Sequence, residues 1–256
     1  MRIASWNVNS AKARQDHILD FLKAGMTDVL LIQETKTQDP NFPETLYTDI
    51  GWNVVFHGQK SYNGVAIASR HPISDVMTGL PGDDEDEQAR YMEASIGGVR
   101  VATIYLPNGN PAPGPKFDYK LAWMNRLNAR ATTLLKDEVP VVLAGDFNVI
   151  PQDIDCYDPP GWEGDALTRP ESRAAFFSLA NLGYTDALRA CHPGQIVYSY
   201  WDYQAGAWQK DNGVRIDHLM LSPEATDWLV MADVDKAPRG LEKPSDHTPV
   251  WVDLRD

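Results

Sequence analysis

Short apolar runs separated by polar punctuation recur along the whole chain. Runs at 3–7, 29–33, 53–57, 65–69, 92–96, 99–106, 139–144, 216–221 and 248–252 have the length and composition of β-strands. Helical spacing is rarer. Ser10 can cap a helix that runs to about Lys23 and stops at Gly25, residues 117–136 place apolar side chains at helical intervals, and residues 171–182 follow Pro170. Strands between 53 and 106 arrive without helices between them, so hairpins and mixed sheets are expected rather than a regular βαβ alternation. The fold class predicted is α/β, with sheets covered by helices. No low-complexity linker interrupts the pattern, and residues 1–256 are expected to form one domain.

Polar residues gather where these strands end, and that is where side chains from distant parts of a sheet can meet. Four places stand out: Trp6-Asn7-Val8-Asn9, Ile32-Gln33-Glu34-Thr35-Lys36, Gly145-Asp146-Phe147-Asn148 and Ser245-Asp246-His247-Thr248-Pro249. Each alone has an ordinary structural explanation as a turn or a solvated charge. Together they are more informative. Strand alternation predicts that Asp146 and Asn148 share a face, with Phe147 turned to the other side. Oxygen donors such as Glu34 and Asp246 suit Mg²⁺ or Mn²⁺, and no Cys/His cluster argues for zinc. No glycine-rich nucleotide loop follows a strand.

Composition qualifies this picture. With 23 basic and 36 acidic residues the formal net charge is −13, which argues against a protein that coats nucleic acid indiscriminately. Part of the excess lies in the run Asp83-Asp84-Glu85-Asp86-Glu87, read as a solvated loop. The first residues read directly into a strand instead of a leader, no apolar run has the length of a membrane span, and Cys156 and Cys191 form no disulfide or metal spacing. A cytoplasmic protein with no membrane partner is expected.

The four motifs, in this order, resemble those of the exonuclease III family of apurinic/apyrimidinic endonucleases, within the endonuclease/exonuclease/phosphatase superfamily. Further matches are Ile104-Tyr105-Leu106-Pro107-Asn108-Gly109 and Asn212-Gly213-Val214-Arg215-Ile216-Asp217-His218, and the resemblance spans nearly the whole chain. It implies a four-layer α/β sandwich, two packed mixed β-sheets flanked by helices. It also implies a metal-dependent DNA phosphodiesterase of base excision repair that incises 5′ to abasic sites, degrades DNA from 3′ ends, or cleans those ends as a phosphatase. Its substrate would be double-stranded DNA and its working form a monomer.

By the same resemblance Glu34 is the main ligand of Mg²⁺ (or Mn²⁺), with Asn7 and Asp246 beside it. Asp146 orients or deprotonates the attacking water, Asn148 fixes that water, and His247, held by Asp217, offsets charge on the phosphoryl oxygens; whether Asp146 or His247 is the base stays open. Tyr105 and Asn108 donate to the phosphate, Lys116 and Lys120 touch DNA phosphates, and Tyr200, Val214 and Ile216 line a pocket for a baseless sugar. The chain departs from the pattern at Asn108, where some bacterial members have Gln, at Tyr200, where relatives carry Phe or Trp, and at Val214, where some have a larger aromatic. The competing readings are a phosphatase of the same superfamily acting on a small molecule or lipid headgroup, which the acidity favours, and a non-catalytic DNA-binding member.

Overall fold

The computed structural model describes residues 1–255. Twelve strands form two six-stranded sheets. The first contains β1 (Arg2–Asn7), β2 (Val29–Gln33), β3 (Asn53–His57), β4 (Val65–Ser69), β11 (Leu229–Val234) and β12 (Val250–Leu254), in the order β11-β12-β1-β2-β4-β3. The second contains β5 (Ser74–Thr78), β6 (Tyr91–Ile96), β7 (Val99–Tyr105), β8 (Val141–Asp146), β9 (Thr185–Asp186) and β10 (Asp217–Leu221), in the order β5-β6-β7-β8-β10-β9. Each sheet has one parallel pair at its centre, β1 with β2 and β7 with β8, and antiparallel neighbours around it. The block of strands between 53 and 106 does form hairpins, but they divide between the sheets.

Both faces of each sheet are buried, which is why the central strands read as continuous apolar runs. Ile3, Val29, Leu31 and Ile67 of the first sheet pack against Met92, Val101, Val142, Ala144 and Leu219 of the second. The alternate residues point outward. Ala4, Trp6, Leu30 and Ile32 meet Ile18, Phe21 and Leu22 of α1 (Gln15–Lys23), while Ile104, Leu143 and Met220 meet Trp123, Met124 and Leu127 of α3 (Pro115–Leu134) and Phe176 and Leu179 of α4 (Pro170–Leu182). The layers are therefore helix, sheet, sheet, helix, the sandwich that the resemblance implied. Between α1 and α3 lies the short α2 (Glu44–Thr48), and α5 (Ala187–Cys191) and α6 (Pro223–Asp227) complete the set.

One polar contact spans the apolar middle. Gln33 Nε2 donates to Ser5 Oγ at 3.0 Å and to Thr103 Oγ1 at 2.9 Å, tying β1, β2 and β7 together just below the edge where the polar motifs emerge. The direction of the strands explains that edge. The carboxyl ends of β1, β2, β7 and β8 lie there, and β10 and β12, which run antiparallel to β8 and β1, begin there. In the second sheet Tyr105, Asp146 and Asp217 are cross-strand partners in a single row.

Differences from the sequence reading are local. The first helix begins at Gln15 rather than Ser10, because residues 11–14 form turns, and β12 begins at Val250, leaving 245–249 irregular. The elements not anticipated are edge strands with exposed or half-exposed faces, β5 and β11, the two-residue β9, and short helices.

Beside the site the wall rests on a buried charge network. Arg215, 1% exposed, donates to Asp155 and Asp186 and contacts His218 Nδ1 at 3.0 Å, while His218 Nε2 meets Val149 O at 2.9 Å. Burial, helped by the Arg215 cation, pushes the His218 imidazole down to about 4, so the ring stays neutral, donating from Nε2 and accepting at Nδ1. A histidine held neutral in this way stabilises the fold above its ordinary value of 6.5, and the contribution is lost as pH falls through 4. Denaturant titrations should therefore show a smaller loss of stability between pH 6.5 and 4 in His218→Gln than in the wild type, and equal slopes would refute this assignment. Removing the carboxylate in Asp155→Ala leaves the buried Arg215 cation with Asp186 alone of its two carboxylate partners and should cost about 3 kcal/mol by the same measurement.

Candidate active site

Six strand ends converge on a cavity of about 300 Å³ lined by Glu34, Tyr105, Asn108, Asp146, Asn148, Tyr200, Ile216, Asp246 and His247 among others. Asn7, at the end of β1, sits behind this lining. Its amide N–H donates to Glu34 Oε1 at 2.8 Å and to Asp146 Oδ2 at 3.0 Å, while its oxygen accepts the Asn9 N–H at 3.0 Å. Asn7 thus orients two carboxylates at the base of the cavity. Glu34 follows β2 with φ of 54°. Burial acts to raise its pKa, but the Asn7 amide and the Lys36 ammonium, 2.9 Å from Oε2, outweigh it and keep the carboxylate ionised.

Asp146 and Asn148 do meet, though not by alternation. The strand ends at Asp146, Asn148 adopts φ of 48°, and the turn brings the Asn148 N–H to Asp146 Oδ1 at 2.9 Å. Asn148 then donates to Leu106 O at 2.9 Å and accepts from the Asn108 amide at 3.1 Å. Phe147 turns away, edge-on to Phe176. The glycine of the motif is required by closeness: a Cβ at Gly145 would lie 1.9 Å from Ile104 O on β7.

His247 stands between two carboxylates. Its Nδ1 lies 2.8 Å from Asp217 Oδ2 and its Nε2 3.8 Å from Asp146 Oδ2, and the ring packs edge-on to Tyr200 with centroids 4.9 Å apart. Burial opposes its charge, but Asp217 and Asp146 prevail and hold it up at about 10, so it is an imidazolium at neutral pH. Burial pushes Asp146 up to about 7; His247 pulls against this, and Asp217 and Glu34 add to it. Ser199, beside the expected pocket residue Tyr200 but given no role of its own from sequence, donates to Asp217 Oδ2 at 2.6 Å and accepts the backbone N–H groups of Ile216 and Asp217. The Tyr105 hydroxyl stays protonated because burial, Glu34 and Asp146 all raise it.

Lys120 does not reach solvent: it is fully buried, with Nζ donating to the carbonyls of Asn108, Asn148 and Ala166, so it cannot touch a DNA phosphate. Val214 is also 1% exposed and lies under the pocket, packed with Phe117, Ile150 and Leu167, instead of lining it. Trp162, Asp165 and Leu167, from the loop before α4, line the cavity in its place. Lys116 is exposed at the start of α3.

The cavity has basic ground beside it. A neighbouring hollow of about 580 Å³ is lined by Lys12, Lys36 and Lys60 with Gln15, Gln38 and Asn41, a local cationic face on a chain of net charge −13. Asn9 links the two regions, donating to Asp246 Oδ1 at 3.1 Å and accepting from Lys36.

Residues 4–247 match the sequence profile of the Endonuclease/Exonuclease/phosphatase family. The chain belongs to this family. Within it the relatives are of the exonuclease III kind. An exodeoxyribonuclease of Bacillus subtilis is 31% identical over 98% of both chains. A 3′-5′ exonuclease from Neisseria meningitidis superposes with a TM-score of 0.98 at 39% identity, covering 100% of both chains, and an AP endonuclease from Archaeoglobus fulgidus with 0.96 at 35%, again over 100% of both. The Neisseria enzyme, also described as a 3′ phosphatase, has been solved with a product DNA hairpin. Nucleases of the endonuclease/exonuclease/phosphatase family generally depend on a divalent metal.

The donors fit a hard cation. Among the described residues no group of three or more His, Cys, Asp or Glu is assembled so as to hold a metal ion by itself. Carboxylates at Glu34 and Asp246 on an open cavity instead suit an ion that keeps water and takes substrate phosphate oxygens as ligands, the habit of Mg²⁺.

The Asp217 carboxylate is what sustains the charge on His247. NMR titration of the metal-free protein should find the His247 ring protonated beyond pH 8 in the wild type and titrating at clearly lower pH in Asp217→Asn; identical titrations would show that Asp217 is not the controlling partner.

Proposed function

We propose that this protein is a divalent-metal-dependent DNA phosphodiesterase of base excision repair. It would act at abasic sites by incising on their 5′ side, and at 3′ ends as an exonuclease and end-cleaning phosphatase. The observation that carries the reading is the row Tyr105, Asp146 and Asp217, with Asp146 and Asp217 flanking a buried imidazolium and the Asn7-bound Glu34 nearby. A phosphodiester repels an attacking water, so the site must both orient that water and offset the charge that grows on the phosphoryl oxygens.

In this reading Glu34 and Asp246 hold Mg²⁺, which when bound would withdraw charge from the phosphate and stabilise the leaving oxygen. Asp146, whose carboxylate is fixed by Asn7 and the Asn148 N–H, aligns the attacking water and accepts its proton as the new O–P bond forms and the bond to the leaving 3′ oxygen breaks. His247 is already protonated and cannot take that proton, so its part is to face the phosphoryl oxygens as a cation, with Asp217 and Ser199 fixing the ring. Tyr105 donates its hydroxyl, and Asn108 and Asn148 supply amides from the turns that follow β7 and β8. A DNA strand leaving the site would find Lys36, Lys12 and Lys60 on one side and Lys116 on another, which supports a nucleic acid over a free small phosphate. Tyr200 and Ile216 would face the sugar, with Trp162 and Leu167 closing the pocket.

The test is cleavage of labelled duplexes bearing an abasic-site analogue, a recessed 3′ end, a 3′ phosphate or no lesion, with Mg²⁺ or EDTA. Wild-type protein should cleave at the lesion or the 3′ end only with Mg²⁺, and Asp146→Asn should lower the rate by about 10²-fold or more. Inactivity on every DNA together with turnover of inositol phosphates would move the protein to the small-phosphate branch of the superfamily.

A further inference from the structure

Lys120 is a buried basic residue beside the cavity that the proposed chemistry does not use. It projects from α3 with no exposed surface, and its three donors go to Asn148 O at 2.6 Å, Asn108 O at 3.0 Å and Ala166 O at 3.2 Å. An ammonium taken out of water ordinarily has a carboxylate partner. Here all three partners are neutral carbonyls. Each belongs to a different loop: one after β7, one after β8 and one before α4.

Those loops carry Asn108, Asn148 and Leu167, three of the residues that line the cavity. The loop after β7 is seated on the lysine itself. Gly109 has φ of 91°, and a Cβ there would lie 2.7 Å from Lys120 Cδ and 3.2 Å from Ala166 Cβ, so the close approach needs glycine on one side and the lysine stem on the other. Side-chain ties lie around the same point. Asn110 donates to Asp165 and accepts the Ala166 N–H, and Ile150 N donates to Leu167 O.

We propose that Lys120 is a positioning residue, an internal clamp that sets Asn108, Asn148 and Leu167 at fixed separations around the scissile bond without touching the substrate. The clamp rests on reading the cavity as a phosphodiesterase site. An amino group suits this role because it bridges three acceptors at once, whereas an apolar side chain of equal length leaves the Asn108 and Asn148 carbonyls unpaired and Ala166 O with Ser172 Oγ alone, so that the loops are free to diverge.

The test is Lys120→Met, which keeps the length and removes the donors. On a 3′-end substrate kcat should fall by about 10–100-fold through misplacement of the amides, with KM changed by no more than about twofold. Amide hydrogen exchange without DNA or metal should quicken at residues 106–110, 147–150 and 166–168 and stay unchanged through the middle of α3. Gly109→Ala, which pushes on the lysine from outside, should reproduce both effects, and it serves as the second variant if Lys120→Met does not fold. Unchanged kcat or unchanged exchange in these loops overturns the proposal, and so does a rise in KM with weakened salt dependence, which would make Lys120 a phosphate contact. If the wild type proves inactive on DNA, the functional reading fails while the exchange experiment still decides whether the clamp exists.

Discussion

A protonated imidazole buried between two carboxylates is the interaction on which the site depends. His247 keeps its proton only because Asp217 and Asp146 lie against it in a place where water cannot substitute for them. That demand reaches far into the fold. Asp217 needs Ser199, which donates to Oδ2, the same oxygen that faces His247, Asp146 needs Asn7, and Trp6 Nε1 at 3.3 Å from His247 O ties the histidine backbone to the first strand. The two sheets must therefore hold a constant separation at this edge. The Ser5, Gln33 and Thr103 contact crosses the apolar middle close beneath it.

Much of this was legible in the amino-acid order because both faces of the central strands are buried, so their apolar runs are unambiguous and their polar ends are conspicuous. Glu34, Asp146, Asp217 and His247 stand in such ends. Edge strands such as β5 and β11 were not legible, since half-exposed positions carry no clear period. The pairing of Asp146 with Asn148 was foreseen for a reason that does not hold: the residues meet through a left-handed turn after the strand has finished. Lys120, Val214, Leu167 and Ser199 share a different difficulty. Whether a lysine near a motif is a surface charge or a core clamp depends on how helix α3 sits against three loops, and no local pattern encodes that.

The acidity of the chain and its proposed affinity for DNA are reconciled by distribution. The run at 83–87 is anchored through Asp86, which accepts from Tyr119 and Arg126, while Asp83, Asp84 and Glu85 face solvent. Lysines concentrate instead on the hollow beside Glu34. A local cationic field of this kind is felt over roughly a Debye length, about 8–10 Å in ordinary salt, so it acts on a strand lying in the hollow itself.

The row formed by Tyr105, Asp146 and Asp217 carries a consequence for how such a protein can change. In a sheet a shift of one residue exchanges the two faces, so gaining or losing a single residue in β8 would send Asp146 toward α3 and bring an apolar side chain into the cavity. The central strands can accept replacement of one apolar residue by another but hardly any change of length. The loop at 83–87 and the segment before α4 are under no such rule. Divergence among chains of this shape should therefore accumulate as insertions and deletions in the loops, with the strands counting residues faithfully, and a new lesion preference is more readily acquired by remodelling the segment around Trp162 and Leu167 than by any alteration of the sheets beneath it.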